Sequence, residues 1–110
     1  MNNLPQDATK LPVEGSTVDF YTYMKENTTY YPVDTSMTGP PEPMVNAMAG
    51  LNLFDSADKK QVMINHKSPR RLIAKIGENY NVEEEALEGG KVKLVFSYKS
   101  GASEAADLSD

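Results

Sequence analysis

The sequence predicts an α/β fold, a two-layer sandwich in which two helices pack on a β-sheet, and three observations carry that expectation. Val92, Leu94, Phe96 and Tyr98 alternate with polar or smaller residues, the period of a strand with one face in a core. Met44, Ala47, Met48 and Leu51, and again Leu72, Ile73 and Ile76, recur at the three- and four-residue spacing of amphipathic helices. Strand-like runs over 29–34 and 61–65 precede those helices, so the order reads βαβαββ. A chain of 110 residues holds one ordinary domain with tails.

Residues 1–16 hold two Pro, one Gly and few large apolar groups, too little to offset the entropy of ordering, and are expected to be a disordered tail. The domain then runs over 17–99. Val18 to Met24 is rich in β-branched and aromatic residues, Lys25-Glu26-Asn27-Thr28 offers turn chemistry, and Thr29 to Asp34 reads as a strand. These make an extra N-terminal strand or hairpin ahead of the core. In Thr38-Gly39-Pro40-Pro41-Glu42-Pro43-Met44 each proline fixes its own φ and extends the residue before it, giving a stiff approach to a helix. Pro43 suits the first helical position and Glu42 sets a negative charge at the positive helix end, so the first helix is placed from about Pro43 to Leu53. Its methionines read as core filling. Gly50 weakens this helix by roughly 1 kcal/mol relative to Ala, for no reason visible in the sequence.

After the polar link from Asp55 to Lys60, the apolar run Gln61 to Asn65 suits a central strand. Ser68 is expected as N-cap and Pro69 as first residue of a second helix, with Tyr80 extending its apolar stripe and Arg70, Arg71, Lys75 and Glu78 facing water. Val82 to Leu87, the turn Glu88-Gly89-Gly90 and Lys91 to Lys99 form a hairpin, in which Glu83 and Glu85 can pair with Lys91 and Lys93. Residues 100–110 are small and acidic and are expected to be disordered.

A net charge of −5 argues against broad binding of a phosphate backbone, so nucleic acid is not the expected partner. With no Cys there is neither a disulfide framework nor thiolate chemistry. The N-terminal residues lack a basic and then apolar leader pattern, and no run is long enough to cross a bilayer, so a cytoplasmic location is expected. Asn27-Thr28-Thr29 matches a glycosylation acceptor by pattern only.

The stretch Tyr30-Tyr31-Pro32-Val33-Asp34, then Gly39-Pro40-Pro41-Glu42-Pro43-Met44, a helix, an apolar strand and Asn65-His66-Lys67-Ser68-Pro69 resembles the TusA/SirA/YedF superfamily over about Tyr30 to Tyr98. The resemblance implies a βαβαββ sandwich with a mixed four-stranded sheet and two helices on one face. In the sulfur-relay members a Cys-Pro-x-Pro motif opens the first helix and its Cys accepts persulfide sulfur. Here Pro41-Glu42-Pro43 keeps the tail of that motif, but Pro40 stands at the Cys position. The resemblance is closer to a sister family of unknown function that reads Pro-Pro-x-Pro and carries a His followed by Pro after its second strand, as His66 and Pro69 do. It implies that sulfur carriage is lost while the edge that docks partners in the relay members is kept.

No nucleophile with a base, paired carboxylates or metal-ligand spacing is evident, and no cofactor or metal is expected. Glu83-Glu84-Glu85 has the charge of a cation site, but alternate residues of a strand point to opposite faces. His66, the single His, has an ordinary reading as a strand-end residue bonded to nearby backbone. Its sharper reading is a ligand edge: the C-terminal end of a strand and the start of the next helix share one rim in a βαβ unit. Lys67, the Ser68 hydroxyl, the first-turn N–H groups and the side chains of Arg70 and Arg71 would converge there as a small anion site, and the resemblance implies that the loop of Pro40, Pro41 and Glu42 lies at the same edge. The function expected is a non-catalytic binding or adaptor module whose partner is a protein or a small anion. One alternative is a small enzyme or enzyme subunit acting on an anionic ligand through His66 as acid or base; another is an RNA-binding module.

Overall fold

The computed structural model of the chain describes residues 5–39, 41–99, 101 and 103. Its elements are β1 (Thr9–Leu11), β2 (Phe20–Lys25), β3 (Thr28–Asp34), α1 (Glu42–Leu51), β4 (Lys59–Asn65), α2 (Arg70–Ile76), β5 (Tyr80–Ala86), a 3-10 turn (Glu88–Gly90) and β6 (Val92–Tyr98). The strands form one sheet in the order β1-β2-β3-β4-β6-β5. β3 and β4 pair in parallel, with α1 as the crossover that parallel neighbours require. All other pairs are antiparallel. From β3 onward the order is βαβαββ, but the sheet has six strands rather than four, because β1 and β2 extend it beyond β3. No helix among the described residues is long and apolar enough to cross a membrane.

The β2–β3 hairpin closes through Glu26 and Asn27, whose φ values of 53° and 65° are those of a two-residue type I′ turn. Pro32 lies in the interior strand β3. The β3–β4 ladder runs through it unbroken, whereas the β2–β3 ladder pairs Phe20 with Val33 and resumes only at Tyr23 with Tyr30. The missing donor of the proline therefore falls on the β2 side.

Residues 5–16 depart from the expected tail. Thr9, Lys10 and Leu11 pair with Thr22, Tyr21 and Phe20, and Leu11 and Val13 pack on the core. Directly after this segment, the chain is tied to α1 at Thr17 by the fully buried Asn46. Its Oδ1 accepts from the Thr17 amide at 2.8 Å, and its Nδ2 donates to Thr17 Oγ1 and to the Glu42 carbonyl, each at 2.8 Å. Three strand pairs and two apolar residues hold this segment, a pattern with no local periodicity. Residues 1–4 lie outside the described part. At the other end, Ser103 falls in the expected disordered stretch yet is buried: its hydroxyl donates to the Asn79 carbonyl at 2.6 Å and accepts from the Lys99 amide at 2.8 Å. Residues 104–110 are not among those described.

The core lies on one face of the sheet. The register sets Val33, Met63 and Leu94 side by side across three strands, all without solvent exposure. Ala47, Met48 and Leu51 of α1 and Leu72 and Ile76 of α2 join the same cluster, as their spacing predicts, but α2 stops at Ile76, and Tyr80, expected to extend its stripe, instead opens β5 and reaches the core from the sheet. Helix starts differ by one residue. α1 opens at Glu42, with Pro41 as N-cap and Pro43 in second place. α2 opens at Arg70 with Pro69 as N-cap, and Ser68 caps nothing. In the β5–β6 hairpin Glu85 lies opposite Lys93, Glu83 lies opposite Val95, and Lys91 falls in the turn, outside the ladder.

Gly50 also has its reason. A Cβ built there would lie 2.5 Å from Gln61 Oε1 and 2.6 Å from its Cδ, so only glycine lets the buried amide of β4 lie against the helix backbone.

Candidate functional site

The two strands that precede the helices end side by side, with Asp34 paired to Ile64, and their outgoing loops are tied together by buried polar groups. Thr35 and Asn65 are exposed by no more than 1%. The Thr35 amide donates to the Ile64 carbonyl at 2.8 Å. Its hydroxyl has the same carbonyl at 3.0 Å and Asn65 Oδ1 at 2.9 Å, two acceptors for one proton. Asn65 Nδ2 donates onward to the Lys67 carbonyl at 2.9 Å. The loop before α1 is stiffened in turn: Asp34 Oδ1 accepts from the Ser36 amide and hydroxyl, and Thr38 donates to the Thr35 carbonyl. Sequence reasoning did not single out Thr35 or Asn65. The signal was present only as a small polar residue at the end of each parallel strand, Thr35 just after β3 and Asn65 the last residue of β4.

The predicted site residues are distributed along this rim. Pro41 is exposed and Glu42 half-buried at the α1 start, while Pro40 lies outside the described residues. His66 follows β4 and is half-buried, with Nδ1 enclosed and without a hydrogen-bond partner. It is therefore not bonded to nearby backbone through that nitrogen, as its ordinary reading required. Lys67, Arg70 and Arg71 are exposed, and none takes part in an ion pair among the described residues. Met37, at 91% exposure, stands in the adjoining loop.

Several donors expected for an anion are already engaged. The Ser68 hydroxyl donates to Glu84 Oε1 at 2.9 Å, which also brings a carboxylate to this side of α2. The Arg70 amide donates to the Ser68 carbonyl at 3.0 Å. The helix is a turn or two long, seven residues, so its end adds little field. What remains is three unpaired side-chain cations rather than a nest of amides. Among the described residues no group accepts from or donates to Nδ1 to orient the His66 ring. Among the described residues no group of three or more His, Asp or Glu side chains comes together as a metal site.

No protein-family model, curated protein or solved structure matches the chain.

Proposed function

We propose that the chain is a non-catalytic docking module whose rim, from Ser36 to Glu42 and from His66 to Arg71, takes an acidic segment of a partner protein. The observation that carries this reading is the Thr35–Asn65 bond, which ties the start of the loop after β3 to the end of β4 and so holds the two loops that leave these strands as one edge. Rigidity matters because a surface already held in its bound shape loses less entropy on association. Lys67, Arg70 and Arg71 supply unpaired positive charge on a chain of net −5, and exposed Met37 and Pro41 supply apolar contact. A small free anion would use the same cations, but the engaged Ser68 hydroxyl and Arg70 amide favour a larger partner that bonds to side chains.

The resemblance to the TusA-like superfamily belongs to this reading. The βαβαββ order from β3 to β6 and Pro41-Glu42-Pro43 at the first helix support it, and the absence of Cys removes the persulfide step. A cytoplasmic setting fits such a role. The RNA-binding alternative is disfavoured by net charge. Titrating the protein with a short Glu-rich peptide, and separately with inorganic phosphate, while following backbone amides tests the proposal. Peptide binding that weakens about tenfold in Arg70→Ala/Arg71→Ala, from two charged contacts of order 1 kcal/mol or less each, supports it. Tight binding of phosphate alone favours the small-anion reading, and no shift with either overturns both.

A further inference from the structure

The sheet face opposite the helices carries a cross-strand row whose two ends have opposite charge. Lys10 pairs with Tyr21, the β2–β3 register sets Tyr21 opposite Pro32, and Pro32, Val62, Val95 and Glu83 continue in pairs to the far edge. Each is one residue out of phase with the core positions Phe20, Val33, Met63 and Leu94, so the row lies on the other side of the sheet. Read across six strands it is Lys-Tyr-Pro-Val-Val-Glu, with both charged ends exposed, Tyr21, Val62 and Val95 half-buried, and Pro32 buried at the floor of an apolar centre.

Such a row is its own complement. A two-fold axis lying in the interface parallel to the strands reverses it, so that Lys10 of one copy meets Glu83 of the other, Tyr21 meets Val95 and Pro32 meets Val62. A neighbouring row agrees, since the same operation lays Lys60 over Tyr30 of the second copy, a cation on an aromatic ring. The other in-plane axis would stack Lys10 on Lys10 and Glu83 on Glu83. We infer that this face is a self-association surface, on which two copies of the chain pack sheet to sheet about an axis along the strands.

The strands pack roughly aligned in such a pair, about 10 Å apart. Six strands of up to seven residues give a face on the order of 500 Å², short of the ~800 Å² per partner of a standard stable interface. The dimer is accordingly reversible and dependent on concentration. Lys10 also lies 3.3 Å from Asp19 of its own chain, but both are well exposed, so the contact leaves Lys10 able to exchange partners. Single-stranded RNA is the rival occupant, given the tyrosines and lysines on this face. Against it, the Tyr23 and Tyr30 rings stack on each other at 5.0 Å and 13°, so each offers one ring face rather than two, and the net charge of −5 opposes a phosphate backbone.

Sedimentation velocity of the full chain from micromolar to millimolar concentration tests the inference, with Glu83→Lys, Lys10→Glu and the double exchange as variants at exposed positions that leave the core intact. The expected result is a monomer–dimer equilibrium weakened about tenfold by either single reversal, because each pair occurs twice in the dimer, and restored in the double exchange. A monomer at every concentration overturns it. So does a dimer that the single reversals leave unchanged or the double exchange fails to restore, and so does a monomer that takes up an oligouridylate on this face.

Discussion

Gly50 and Gln61 occupy one space: the fully buried Gln61 amide lies where a side chain on Gly50 would be, and neither of its polar atoms has a hydrogen-bond partner. Helix propensity alone favours Gly50→Ala by about 1 kcal/mol. Overpacking of the core should win, giving a net loss of about 1–3 kcal/mol. Gln61→Met, which keeps the length of the side chain and removes the unsatisfied amide, should stabilise by about 1 kcal/mol. Urea midpoints of the two variants check this; a more stable Gly50→Ala contradicts it.

That pair also shows where sequence reading stops. A glycine in a short helix reads as a cost, and its benefit depends on a glutamine eleven positions away that becomes its neighbour only after β4 joins the sheet. Periodic features were legible: the α1 stripe of Ala47, Met48 and Leu51, the Val92-Leu94-Phe96 alternation and the β5–β6 turn all form as spacing dictates. β1 was not, because three residues with one inward Leu carry no period, and the partners that fix them, Phe20 to Thr22, sit in another strand. At the rim, His66, Lys67 and the arginines were legible as residue types. The Thr35–Asn65 bond and the diversion of Ser68 to Glu84 depend on strand register.

Asn46 should anchor the link between β1 and β2, through Thr17. Asn46→Ala leaves the Thr17 amide without its acceptor and should cost about 1–3 kcal/mol. Hydrogen exchange locates the effect: amides of Thr9 to Leu11 should exchange much faster than those of β4 and β6. Uniform acceleration across the sheet would contradict a local anchor.

Alkaline stability should follow Tyr23 and Tyr31. Burial, as the largest cause, raises both phenols above their ordinary value of 10.0; for Tyr23 the charges of Tyr30 and Asp7 add to it, and for Tyr31 Lys59 opposes it. Because the folded chain holds these protons more tightly than the unfolded chain, the stabilisation is intact below about pH 10 and is lost as pH rises beyond it. Tyr23→Phe should flatten that loss, read as the urea midpoint against pH. An unchanged slope would contradict the assignment.

The rim should act as one unit in binding. Titrating a Glu-rich peptide into the wild type and into Asn65→Ala, with the amides of Ser36 to Thr38 and of Lys67 to Arg71 fitted separately, tests this directly. The wild type should give the same Kd at both segments, and Asn65→Ala, which cuts the bonds to Thr35 and to the Lys67 carbonyl, should weaken binding at both. Two different dissociation constants in the wild type, or shifts confined to one loop, would contradict it.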